Sequence, residues 1–152
     1  MKALIISDSH GRANDVMDAV EKVKPEVLFH LGDGAKDLRG LGLLYPDVTV
    51  YQVGGNCDYS SNMELVRLTT LEGVRILMTH GHIFGVKQSI SRLVREAKGR
   101  NARVVLYGHT HSAYFEDRDG LLIINPGSIG FSGRYGVLTV ENGNVSYEAG
   151  IL

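Results

Sequence analysis

Val104-Val105-Leu106-Tyr107-Gly108-His109-Thr110-His111 is the stretch on which the reading of this chain turns. Three aliphatic residues have the pattern of a fully buried strand. They end in two imidazoles one residue apart, beside a glycine that lets the backbone approach an ion closely. Alone, this is an ordinary loop after a strand. Its weight comes from repetition: Leu4-Ile5-Ile6 runs into Asp8-Ser9-His10, Val27 to Leu31 into Gly32-Asp33, Val50 to Val53 into Gly55-Asn56, and Ile76 to Thr79 into His80. Five apolar runs thus deliver oxygen and nitrogen donors to one rim.

The same runs predict the order of the fold. Lys2 to Ser7 is a strand, and Asn14 to Val23 is a helix with Val16, Met17, Val20 and Val23 at helical spacing and Pro25 closing it. With strands at Val27 to Leu31 and Val48 to Val53, the first part reads βαβαβ, which places ligands at the carboxyl ends of the strands. From Met63 the pattern changes. Met63 to Thr70 and Val74 to Thr79 read as a hairpin turning at Glu72-Gly73, Ser89 to Lys98 as a helix, and Arg103 to Tyr107 as a strand. Ala113 to Glu116, Leu121 to Ile124, Gly136 to Val140 and Val145 to Tyr147 then give a mostly antiparallel second half. The expectation is a single α/β (α+β) domain over residues 1–152, a four-layer αββα sandwich of two mixed sheets flanked by helices.

Composition narrows the function. Sixteen basic against seventeen acidic residues, a net charge of −1, give no field that would gather nucleic acid or anionic membrane, so an anionic ligand must be attracted locally. The lone cysteine, Cys57, fits a reducing compartment. No apolar stretch approaches the roughly 20 residues of a membrane span, and the N-terminal run is too short for a signal peptide. A cytoplasmic enzyme of a small molecule is expected, and a homo-oligomer is compatible with this.

The candidate donors are Asp8, His10, Asp33, Asn56, His80, His109 and His111. Asp8-x-His10, Gly32-Asp33, Gly55-Asn56-x-Asp58, the glycine-containing His80 loop and Gly108-His109-x-His111, in this order, resemble the calcineurin-like metallophosphoesterases, in particular their small YfcE-like phosphodiesterase branch. The resemblance spans nearly the whole chain. It implies that Asp8, His10 and His111 hold one metal, that Asn56, His80 and His109 hold a second, and that Asp33 bridges them. Asp33, Asn56 and His80 then serve catalysis of phosphodiester hydrolysis by a hydroxide bridging the two ions. Two carboxylates against two divalent ions leave about +2 at the site, enough to draw in a phosphate without a basic patch. The mixed nitrogen and oxygen set suits Mn²⁺ foremost, with Ni²⁺, Fe, Co²⁺ and Zn²⁺ compatible and Ca²⁺ a poor fit.

Other residues have two readings. His30, inside a strand, reads as a structural histidine. His82 either lines the substrate site or packs a turn, and Arg12 either meets substrate phosphate or is solvated. Asn125-Pro126-Gly127-Ser128 matches a family loop near the site, although a plain turn accounts for it. Two departures matter. Where many family members carry a histidine general acid oriented by the following acid, this chain has Cys57 before Asp58, and a neutral thiol is a poor proton donor. The usual Gly-Asp-x-x-Asp has Lys36 at its second acid, with Asp37 one residue later, which leaves support of the bridging carboxylate open. The competing functional reading is a weakly active or inactive scaffold, like the retromer relatives. A closed structural zinc site would need only four of the seven donors.

Overall fold

A computed structural model describes residues 1–59 and 62–152. Its first strand, β1 (Lys2–Ile6), shows why four layers form. Side chains alternate across a strand, so Ala3 and Ile5 face one way and Leu4 and Ile6 the other, and all four are fully buried. A strand that is apolar on both faces must be covered twice. Ala3 and Ile5 join Phe29, Ile76, Met78, Leu106 and Ile124 in the core between the two sheets. Leu4 and Ile6 meet Val16, Ala19 and Val20 of helix α1 (Ala13–Val23), together with Leu28 and Ile129. On the far side Leu77, Val105 and Ile123 pack against Leu93, Val94 and Ala97 of a second long helix, Ser91–Gly99. Each fully buried Leu or Ile contributes about 1.5–3 kcal/mol.

Continuing along the chain, β2 (Val27–His30), α2 (Leu41–Leu44) and β3 (Thr49–Gln52) are followed by β4 (Val66–Leu71), β5 (Val74–Thr79) and α3 (Ser91–Gly99). Next come β6 (Val104–Leu106), β7 (Tyr114–Arg118), β8 (Leu121–Asn125), α4 (Ile129–Ser132), β9 (Arg134–Glu141) and β10 (Asn144–Ile151). One sheet has the order β10-β9-β1-β2-β3 and the other β4-β5-β6-β8-β7. β1, β2 and β3 are parallel, as are β5, β6 and β8.

The first half follows the expected βαβαβ order. The second half is less antiparallel than the sequence suggests. Helix α3 carries the chain across so that β6 lies parallel to β5, and the β7–β8 hairpin returns β8 parallel to β6. β9 and β10 leave that sheet altogether and extend the first one, β9 antiparallel to β1. The short α4 was not expected. Its signal was present in Ser128, whose side chain accepts the Phe131 N–H as an N-cap. Among the described residues no helix is long and apolar enough to cross a membrane.

Candidate metal centre

The loops leaving β1, β2, β3, β5 and β6 meet at one rim, and their backbones are tied to each other before any side chain is considered. Asp8 N–H donates to Gly32 O at 3.0 Å, His10 N–H to Asp33 O at 3.0 Å, and Gly108 N–H to His80 O at 3.0 Å. Asp8, His10, Asp33, His109 and His111 all have left-handed backbones, with φ of 55°, 43°, 58°, 70° and 60°. Non-glycine residues there carry strain that persists only where the surroundings over-determine it, and such residues cluster at functional sites. Glycine permits the close approach: a Cβ on Gly108 would lie 1.9 Å from Ser7 Oγ, and one on Gly55 would lie 2.1 Å from Asp33 Oδ1.

Two groups of donors result. In the first, single ligand atoms of Asp8, His10 and His111 lie within 4.8 Å of one another, and in the second so do those of Asp33, His80 and His109. Asp8 is fully buried; it accepts Ser7 Oγ–H at 2.5 Å and His109 N–H at 3.1 Å on Oδ2, and its Oδ1 faces His111 Nε2 at 3.1 Å. His10 Nε2 stands between the carboxylates, 3.6 Å from Asp8 Oδ1 and 3.8 Å from Asp33 Oδ2. The exposed ring of Phe131 stacks on His111 at 4.9 Å and leans on His10 at 5.2 Å, covering the outer side of these imidazoles.

In the second group His80 is fully buried, and its Nδ1–H donates to Leu31 O at 2.8 Å. This fixes Nδ1 as a donor and turns Nε2 toward Asp33 Oδ2 at 3.3 Å and His109 Nδ1 at 3.2 Å; when protonated, Nε2 donates to Asp33, and when neutral it offers its lone pair to an ion. Burial pushes the His109 pKa down to about 4, aided by the neighbouring His80, so its ring is a neutral donor. Burial alone would lower His80, but the Asp33 and Asp8 carboxylates outweigh it and raise its pKa. Burial likewise would raise Asp33, yet its bonds to His80 and to the Cys57 N–H hold it well below the usual carboxylate range. Lone pairs of nitrogen and oxygen thus converge on common points, and a divalent cation satisfies them. The donor set fits such an ion.

The supports expected from a second acid after Asp33 come from elsewhere. Asp37 is buried and accepts Ser9 Oγ–H at 2.6 Å and Gly11 N–H at 3.0 Å, holding the Asp8–Gly11 loop. Asp58 does the same for Asp33: its carboxylate accepts the N–H groups of Asp33, Gly34, Ala35 and Gly55 at 2.8, 2.9, 3.0 and 2.8 Å. An Asp58 committed in this way is not poised to orient a ring at position 57. His30 is the structural histidine expected. It is fully buried, accepts Gly32 N–H on Nδ1 at 3.2 Å, and therefore presents Nε2–H to Ser9 Oγ at 3.0 Å. Burial lowers its pKa to about 4. The unfolded chain binds this proton near the ordinary pKa of 6.5 and the folded one does not. Stability from His30 is therefore present above 6.5 and is lost as pH falls from 6.5 toward 4, by about 3 kcal/mol in all. In an NMR titration the His30 imidazole, like that of His109, should stay neutral to below pH 5. A His30 ring that titrates near 6.5 would contradict this.

The family model for the calcineurin-like phosphoesterase superfamily domain matches residues 1–143. This chain belongs to that superfamily. It is 36% identical over 150 residues to a probable metallophosphoesterase, YsnB, of Bacillus subtilis, covering 93% of this chain and 86% of that protein. It is 33% identical over 167 residues to the phosphodiesterase YfcE of Escherichia coli, covering 91% and 87%. In structure it resembles a conserved uncharacterized protein, a predicted phosphoesterase, of Streptococcus pneumoniae, with a TM-score of 0.82 at 26% identity, covering 99% of this chain and 88% of that one.

As a calcineurin-like phosphoesterase the chain is metal-dependent, and six of the seven candidate donors fall in the two groups above. The seventh, Asn56, stands exposed on the loop after β3 with its amide Nδ2 3.5 Å from Cys57 Sγ. Cys57 N–H donates to Asp33 Oδ1 at 2.7 Å, so Asn56 is one residue from a direct contact with Asp33. The Cys57 thiol itself lies within 4.8 Å of ligand atoms of His10 and Asp33, and burial with the nearby Asp33 charge pushes its pKa up. His82 sets its ring at a tilt to those of His80 and His109, with centroids 5.5 and 6.1 Å away, and its Nδ1 is buried and unpaired among the described residues. Arg12 is mostly exposed and its Nε donates to Asp15 at 3.1 Å, on the surface of α1. The Asn125–Ser128 loop is more than a turn. Asn125 Nδ2 donates to Gly108 O at 3.1 Å and Ser128 Oγ to Asp8 O at 2.8 Å, so both brace metal-centre loops.

Proposed function

We propose that this metal-dependent phosphoesterase is a phosphodiesterase acting on small phosphodiesters with two divalent ions, Mn²⁺ foremost. Asp8, His10 and His111 would hold one ion, and His80, His109 and Asn56 the other, with Asp33 between them. The observation that carries the reading is that two three-residue donor groups lie on adjoining loops, with Asp33 Oδ2 facing both His10 and His80. Bound ions of this kind supply Lewis-acid stabilisation of the phosphoryl oxygens and a nucleophile at neutral pH.

The chain's own residues set the selectivity. Asp8 and Asp33 each accept donated hydrogen bonds, and two carboxylates neutralise only part of the charge of two divalent ions and leave an anionic phosphate attracted. The Leu31 carbonyl keeps His80 from rotating, and Phe131 packs against the His10 and His111 rings. Arg12 reaches a phosphoryl oxygen only by leaving Asp15, and His82, whose Nδ1 is buried, would have to use its other ring nitrogen. No imidazole stands at position 57, and the Cys57 thiol stays protonated and is a poor acid, so the leaving group must depart without a strong proton donor.

Diesters of good leaving groups are therefore the favoured substrates. With Mn²⁺ supplied, kcat/KM for bis-nitrophenyl phosphate should exceed that for nitrophenyl phosphate by about tenfold or more; the two share a leaving group, so the comparison reads the diester preference suggested by the similarity to the phosphodiesterase YfcE and not the missing general acid. A higher value for the monoester would overturn the diester preference. Near two bound ions with no hydrolysis of either ester would favour a scaffold instead.

A further inference from the structure

A cavity of about 620 Å³ is shared between the metal centre and the segment that follows Asp33. It is lined by His10 and Asp33 and also by Lys36, Arg39 and Tyr59. The volume lies within the roughly 300–1,000 Å³ of small-molecule sites and far exceeds what one phosphoryl group fills. Its wall carries three carboxylates, and each is committed inward: Asp33 to His80 and the Cys57 N–H, Asp37 to Ser9 and the Gly11 N–H, Asp58 to four backbone N–H groups. Lys36 and Arg39 are different. Both are exposed, and neither takes part in the ion pairs found among the described residues. The wall therefore presents two cations whose charge is not spent on the protein, next to the exposed Tyr59 ring.

We propose that this cavity is the subsite for one arm of the diester, and that the arm carries a second phosphate held by Lys36 and Arg39, with Tyr59 lying against the organic part between the two phosphates. This rests on the phosphodiesterase reading of the centre and adds the substrate class to it. The chemistry follows from the donors. Arg39 can meet a terminal phosphate in a bidentate fork, Lys36 adds a point charge, and a tyrosine face accepts a sugar or a base. A chain with net charge −1 has no general attraction for polyanions, so selection for a second phosphate must come from such a local pair. A neutral arm would leave both cations in water, with nothing gained from them.

The test compares thymidine 5′-phosphate with thymidine 3′,5′-bisphosphate as ligands of the Mn²⁺-loaded protein, by calorimetry. The bisphosphate should bind about tenfold more tightly, the effect of two partly exposed charge-assisted contacts. In the exposed double variant Lys36→Gln/Arg39→Gln the ratio of the two affinities should fall toward 1, with each single variant in between. Equal affinities in the native protein, or a ratio that survives the double variant, would overturn the subsite while leaving the phosphodiesterase reading intact. If neither nucleotide binds better with Mn²⁺ than without it, the reading of the centre fails and the subsite falls with it.

Discussion

Asp33→Asn should release most of the bound metal and lower kcat/KM by roughly 10³-fold or more, beyond the 10–100-fold typical of residues that only support a ligand. Asp33 Oδ2 faces His80 Nε2 at 3.3 Å and His10 Nε2 at 3.8 Å, one from each donor group; Asp8 Oδ1 stands 3.8 Å and 3.6 Å from the same two nitrogens, so Asp33 is distinguished by its closer approach to His80. The substitution removes that charge but keeps the shape. An asparagine Oδ1 can still accept the Cys57 N–H that Asp33 Oδ1 takes at 2.7 Å, and its amide can donate to His80 Nε2. The metal-free variant should therefore unfold within a few degrees of the metal-free parent, separating loss of metal from loss of fold. His10→Gln and His80→Gln each touch one group and should lose less metal. Elemental analysis giving nearly two ions per chain in Asp33→Asn would show that Asp33 does not bridge.

Much of this centre was legible in the sequence because the donors sit where buried strands must end. A run such as Leu4-Ile5-Ile6 has to stop at a loop, and the loop's polar residues then lie at the rim. Asp8, His10, Asp33, His80, His109 and His111 could be found that way. What could not be found depends on contacts far apart in the chain. Nothing near Asp58 reveals that its carboxylate reaches back 25 residues to the Asp33 N–H, or that Asp37 takes the hydroxyl of Ser9. Ser128 looked like a turn residue because its partner, the Asp8 carbonyl, is 120 positions away. The return of β9 to the first sheet was hidden for the same reason. Its Leu138 and Val140 alternate as any half-buried strand would, and only the vacant edge of β1 decides where they pack.

Those distant contacts make Asp58 the residue whose loss should most damage the scaffold of the site. Asp58→Ala leaves four backbone N–H groups, of Asp33, Gly34, Ala35 and Gly55, without their acceptor. Bonds to a charged acceptor are worth about 1.5–3 kcal/mol each in isolation, but Asp58 is only half-buried and the amides regain water, so a total of about 2–3 kcal/mol is expected. For a chain of this size that is a fall in Tm of about 5–10 °C. Burial would raise the Asp58 pKa, yet the donated N–H groups outweigh it and lower it. Its contribution is thus present above the ordinary value of 3.8 and is lost as pH falls through the lowered folded value, so parent and variant should converge in stability at strongly acid pH. Asp58→Asn, which keeps one acceptor oxygen, should fall between the two. Metal affinity should drop by about 10–100-fold in Asp58→Ala, because the Asp33 backbone is no longer held. If Asp58→Ala keeps the parent Tm at neutral pH and binds metal equally well, then the Gly32–Ala35 turn holds its own shape, and Asp33 is positioned by the strained backbone of that turn rather than by Asp58.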